Sequence, residues 1–249
     1  MDAFDTSLLA GLIFAAALLY TSVGHAGASG YIAAMVLMGL APGIIKPTAL
    51  TLNILVAAFA TARWTRNGRD LAWRGLLPLV IGSVPAAFIG GAYQLTATQY
   101  RLMVGVVLLV AGLKFLLQPR IESGVEPRPV EVPWLADLAT GSAVGLLSGL
   151  TGTGGGIFLT PLLLLFGWAG ARQASSMTAP FILVNSVAAL LGNIAAIQQL
   201  PPELPIFVAV ALTGALVGTQ IGITWVSTQT LQRLLGVVLL IAAGKFLLS

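Results

Sequence analysis

A stretch written twice constrains this chain more than any other feature. Residues 105–117 read GVVLLVAGLKFLL and residues 236–248 read GVVLLIAAGKFLL, with ten of thirteen positions identical at an offset of 131. That offset is just over half of the 249 residues, so the chain reads as two copies of one apolar unit. In a hydrophobic chain such a duplication points to repeats with a ligand site where they meet.

The environment follows from charge. Charged residues make up 8% of the chain, apolar residues 57%, and the mean hydropathy is +0.97. A soluble domain is about 25% charged, so this chain cannot cover a water-facing surface and reads as an all-α polytopic membrane protein. Strands are not expected, because the apolar runs are continuous and lack period-two alternation. The first repeat is expected over 1–117 and the second over 134–249. Between them, 118–133 (QPRIESGVEPRPVEVP) reads as a polar linker. The N-terminal stretch has an acidic flank rather than the basic one of a signal peptide. The absence of cysteine excludes disulfides, thiol chemistry and cysteine-ligated metals. No metal cluster, phosphate loop or dinucleotide fingerprint is found, so no cofactor is expected. The pI near 9.9 is assigned to Arg and Lys in cytoplasmic loops and not to nucleic acid.

Each half divides into five apolar segments, at 7–23, 30–41, 47–62, 75–93 and 101–117, then 134–150, 156–167, 174–199, 205–225 and 232–248. The second of each set is short for a full crossing, giving eight to ten spans. With the N-terminus outside, Arg63, Arg66, Arg69, Arg74, Arg120, Arg128, Arg172 and Arg233 fall in the cytoplasm, as the positive-inside rule requires. Lys46 and Arg101 are the exceptions. An odd number of segments per half makes the copies insert in opposite directions, an inverted repeat.

A Gly-rich break precedes each short segment: VGHAGASGYIAA (23–34) and LTGTGGGIFLTP (150–161). Glycine lets backbone approach a ligand, and the helix that follows aims its free N–H groups and positive dipole end at the break. One Gly cluster is read more readily as close helix packing. Two in equivalent positions read as an anion cradle, with Gly27, Ser29 and Gly30 from one copy and Gly154, Gly155 and Gly156 from the other. Lys46 falls on Arg172 at an offset of 126, and Asn53 and Asn185 follow in similar apolar surroundings. Their amides can hold an oxyanion without net charge, and Thr51 and Thr178 add hydroxyl donors. The competing reading is that the asparagines bridge helices and the cations are topology signals.

An absence sharpens the substrate class. Asp137 is the one carboxylate inside the apolar segments, whereas cation-coupled transporters usually carry an intramembrane carboxylate. This favours an anionic substrate. His25, the only histidine, is the candidate for a coupling proton, since the imidazole is the side chain that titrates near neutral pH. Gly27–Gly30 also matches the GxSG pattern of rhomboid intramembrane proteases. A serine nucleophile needs a base within hydrogen-bond reach, and here the sole histidine is four residues from Ser29.

These paired breaks carry a family resemblance. The chain resembles the TauE/SafE family of sulfite exporters, also called the toluene sulfonate uptake permease family, over nearly its whole length. The most specific parts are SGLTGTGGGIFLTPLLLLFG (148–167), ASSMTAPFILVNSVAALLGN (174–193) and the C-terminal GVVLLIAAGKFLL. In the first copy GHAGASG replaces the usual Gly run. The resemblance implies a permease of the bacterial cytoplasmic membrane for small sulfur-containing anions or related organic acids. Sulfite or an organosulfonate, moved by alternating access, is the leading expectation. A small carboxylate, an uncoupled facilitator and an intramembrane serine hydrolase are the alternatives. The partners expected are the anion, the bilayer and a further copy of the chain in a homo-oligomer.

Overall fold

A computed structural model describes residues 2–22, 24–66, 73–117, 132–169 and 171–224, with scattered helical positions between 233 and 247. The linker 118–131, Arg69 and most of the last segment lie outside the described residues.

Among the described residues the chain forms α-helices and one 3-10 turn. The first half contains α1 (Ala3–Ser22), α2 (Ala28–Leu37), α3 (Pro42–Arg66), α4 (Trp73–Ala92) and α5 (Ala97–Leu117). The second contains α6 (Trp134–Thr151), α7 (Gly156–Leu165), α8 (Ala171–Gly192), the 3-10 turn Ile194–Gln199 and α9 (Leu204–Thr224). Of these, α1, α3, α4, α5 and α9 contain stretches long and apolar enough to cross a bilayer. Helices α2 and α7 have ten residues each, a length of about 15 Å against a hydrocarbon core of about 30 Å. Helix α2 stops earlier than the apolar run suggests. Gly39 takes a left-handed φ of 76°, and the Gly39 and Leu40 N–H groups fold back on the Val36 and Met35 carbonyls, closing the helix.

The halves interlock. The first helix of each packs along the fourth of the other, α6 on α4 and α1 on α9, and α3 packs on α8. Glycines make these contacts possible. Gly141, Gly145 and Gly149 recur every four residues on one face of α6. A Cβ at each would lie 2.2 Å from the carbonyl of Leu79, Ser83 or Ala87 of α4. In lipid no hydrophobic effect drives helices together, so close backbone approach through small residues does that work. Gly218 of α9 meets the Leu18 carbonyl of α1 in the same way, at 2.2 Å.

The contact register fixes directions. Residues 79, 83 and 87 meet 141, 145 and 149 in order, so α4 and α6 are parallel. Gly214 faces Phe14 and Gly218 faces Leu18, so α1 and α9 are parallel. Asn53 meets Ser186 while Ala60 and Trp64 meet Ala179, so α3 and α8 are antiparallel. Arg63 near the end of α3 donates to the Leu216 carbonyl (3.0 Å) and to Gln220 near the end of α9. Helices α1, α3 and α9 therefore point one way, and α4, α6 and α8 the other.

Two apolar cores result. Leu9, Ile13, Tyr20, Tyr31, Met35, Leu52 and Phe207 join α1, α2, α3 and α9. Leu76, Leu79, Val144, Leu159, Met177 and Phe181 join α4, α6, α7 and α8. The first core also takes Tyr100, Val104 and Leu108 of α5, Ile157 of α7 and Ile182 of α8, so both cores draw on both halves. Phe4, Leu77, Ile81, Phe88, Ile89, Leu102 and Leu216 face outward, which suits a lipid environment.

Candidate functional site

The two breaks are built alike. Gly24 and Gly27 have φ of 86° and 109°, and Gly152 and Gly155 have φ of 81° and 83°. An offset of 128 relates both pairs. Gly154, at φ 75°, adds a third left-handed residue where the first copy has Ala26. L-residues with a Cβ avoid this region, so the sequence here selects backbone shape. Residues 24–30 and 151–157 are all buried. The N–H groups of Ala28, Ser29 and Gly30, and those of Gly154, Gly155 and Gly156, find no acceptor among the described residues. Buried backbone donors are nearly always paired. Two runs of them, at the starts of two short helices, form donor-rich positive ends awaiting a partner.

Helix α3 lies along the second break. Lys46 and Asn53 are seven residues apart, hence on one face and about 10.5 Å apart along the axis. A Cβ at Gly152 would lie 3.1 Å from Lys46 Cγ, and one at Gly154 would lie 2.6 Å from Asn53 Nδ2. Asn53 is fully buried. Its Nδ2 donates to Ser186 Oγ at 3.4 Å and its Oδ1 has no partner. A hydroxyl accepts or donates, so a 180° turn of the amide would exchange the free end. Asn185 is also fully buried, but its orientation is fixed. Its Nδ2 donates to the Phe181 carbonyl at 2.8 Å, which only accepts, so the free atom is the acceptor Oδ1. Ser148 Oγ and Thr48 Oγ1 are likewise buried without a partner.

The second half repeats the spacing with different chemistry. Adding 132 to Lys46 and Asn53 gives Thr178 and Asn185, again seven residues apart on one face. Thr178 donates to the Ala174 carbonyl at 2.7 Å, so at 2.8 Å it accepts from Thr160. Thr160 has then spent its proton and accepts from His25 Nε2 at 3.1 Å. This chain ties the first break to α7 and α8 and places the imidazole proton on Nε2. At that offset the lysine is replaced by a hydroxyl, linked through Thr160 to His25. Arg172 begins α8, and its side chain lies outside the described residues. Thr51 is half-buried and donates to the Pro47 carbonyl at 2.9 Å. Ser29 Oγ bonds Tyr20 Oη at 2.6 Å. Ser29 and His25 Nε2 thus face different partners.

Lys46 resolves its own topological oddity. It is 8% exposed, and its Nζ donates to the carbonyls of Gly90 (3.3 Å), Gly91 (3.1 Å) and Tyr93 (3.4 Å). These close the C-terminus of α4, where carbonyls lack intrahelical partners and the dipole favours a cation. Beside it opens a cavity of about 230 Å³ lined by Lys46, Tyr93, Gln94, Tyr100, Asn193 and Gln199, among others. Tyr100 Oη donates to the Thr151 carbonyl at 3.1 Å, so the floor of this vestibule is the second break.

Ser148, Thr160, Ser186 and Tyr100 were not singled out from sequence. Thr160 lies within the second break motif and Ser186 follows Asn185. That position is the signal that could have found them, but their contacts with the other half depend on interlocking.

Similarity to known proteins agrees with this architecture. The family model described as "Sulfite exporter TauE/SafE" matches residues 9–246. The chain is similar to the "Probable membrane transporter protein y4hK" of Sinorhizobium fredii, 40% identical over 240 residues, covering 96% of this chain and 97% of the relative. No solved structure matches the chain. Duplicated apolar halves, paired breaks and a match over nearly the whole length lead to one conclusion: the chain belongs to the sulfite exporter TauE/SafE family and is a multi-pass membrane protein of a transporter family.

Proposed function

We propose that the protein is an alternating-access permease for a small sulfur-containing oxyanion, sulfite or an organosulfonate, in a bacterial cytoplasmic membrane. The observation that carries this reading is the pair of buried helix starts with unpartnered N–H groups, with the Asn53 amide laid against Gly154. Buried donors without acceptors favour a ligand that brings negative oxygens. The second break, with Gly154, Gly155, Gly156 and Asn53, is the proposed anion seat. Asn185 Oδ1 would accept from a protonated oxyanion or a bridging water. Thr178 holds the first break in register, and His25 at the end of its chain is the proposed proton carrier. The opposed directions of α1 and α6, α3 and α8, and α4 and α9 support an inverted repeat, the architecture that lets one half rock against the other.

The test is flux into proteoliposomes of labelled sulfite, sulfate, thiosulfate, a short organosulfonate and a small carboxylate, with and without a pH gradient. Saturable flux of a sulfur anion, stimulated by the gradient, is the expected result. Asn53→Ala with Asn185→Ala in folded protein is expected to reduce it at least tenfold, about one charge-assisted hydrogen bond. Unchanged flux in that double variant would refute the seat.

A further inference from the structure

We propose that the vestibule beside Lys46 is a capture site for the transported anion, in which the Lys46 ammonium exchanges the carbonyls of α4 for the anion. This rests on the anion-permease reading and adds an entry site and a gate to it.

Three observations converge. First, the Lys46 side chain is buried, at 8% exposure, and it borders a cavity with polar walls. Gln94, Asn193 and Gln199 carry neutral amides, and Tyr93 and Tyr100 carry phenol hydroxyls. Second, the grip of Lys46 on α4 is loose. Its three bonds of 3.1–3.4 Å are longer than the roughly 2.7–2.9 Å of a charged donor on an ionised acceptor. An oxyanion therefore competes well for the ammonium, while vestibule water takes up the released carbonyls. Third, the vestibule lies beside the proposed seat. The Lys46 stem packs where Gly152 lacks a Cβ, and the same face of α3 carries Asn53 about 10.5 Å further on. Mouth and seat thus share one helix face beside the second break.

The face of the membrane is also set. Arg63 and Arg66 end α3, so positive-inside placement puts that end in the cytoplasm. Lys46, in the second turn of α3, and the vestibule open on the opposite, outer face. Thr178 stands 132 residues after Lys46, so this ammonium belongs to the first half, and Lys46 serves the outer face alone.

The absence of cysteine supplies the test. Gln199→Cys carries the only thiol, at an exposed position of the vestibule rim, and a membrane-impermeant maleimide reports which molecules present that face. Ethanesulfonate is expected to slow this alkylation and chloride is not. In proteoliposomes sorted by orientation, Lys46→Gln is expected to raise the KM for ethanesulfonate at the vestibule face about tenfold, the loss of one charge-assisted bond. The KM from the opposite face stays unchanged, and Lys46→Arg restores most of the loss. An equal rise from both faces, or no rise, overturns the capture site, because a merely structural lysine would act without regard to side. If the Lys46 variants do not fold, protection of Gln199→Cys decides alone, and its absence overturns the proposal. Protection without flux of any anion would sink the permease reading and leave the capture site standing. Flux without protection would do the reverse.

Discussion

Gly154→Ala separates a break built for backbone shape from one that is merely flexible. Gly154 has a φ of 75°, where a Cβ costs about 1–2 kcal/mol. That Cβ would also lie 2.6 Å from Asn53 Nδ2, 2.8 Å from Ile182 Cγ2 and 2.9 Å from Ser186 Oγ. None of these is the far end of a long, yielding side chain, so overpacking adds about 1–3 kcal/mol. The sum, about 2–5 kcal/mol, is a large part of a typical folding free energy of about 5–15 kcal/mol. In detergent the unfolding midpoint should fall by roughly 4–20 °C. The displaced Asn53 amide should abolish flux in whatever protein remains folded. Gly11→Ala is the control: nothing lies within 4 Å of its added Cβ, and an exposed helical glycine replaced by alanine gains about 0.5–1 kcal/mol. A Gly154→Ala protein that melts and transports like the parent would refute both the left-handed break and its contact with Asn53.

Gly145→Ala should fail to assemble, because its Cβ would meet the Ser83 carbonyl at 2.2 Å with backbone on both sides; a monodisperse, fully active product on size-exclusion chromatography would contradict the α4–α6 contact. Thr160→Val removes the middle of the His25–Thr160–Thr178 chain and strands a buried imidazole N–H. The expected loss is about 1–3 kcal/mol of stability by thermal unfolding, and an unchanged midpoint would show that the chain is not formed.

How far the sequence reached depends on the range of each interaction. The ten-of-thirteen match and the low charge dictated two apolar, helical halves, because a bilayer leaves few other ways to satisfy backbone groups. The Gly-rich breaks were legible for the same reason: residues 24 and 27 and residues 152, 154 and 155 are glycine where the chain turns left-handed, and no other residue adopts that shape freely. Asn53 and Asn185 were visible as polar groups in apolar surroundings. What the sequence left open was partnership. Lys46 falls on Arg172 at an offset of 126, and the spacing of Lys46 and Asn53 recurs in Thr178 and Asn185; spacing alone does not choose between the two. The lysine's partners are carbonyls 44–47 residues away in the chain. The free ends of the two amides could not be read either, since Ser186 for one and the Phe181 carbonyl for the other decide them. Composition and periodicity set which segments enter the membrane. Only the packing of α1 on α9 and α4 on α6, through glycines that let backbones touch, decided which polar atoms meet, because those contacts join residues remote in sequence.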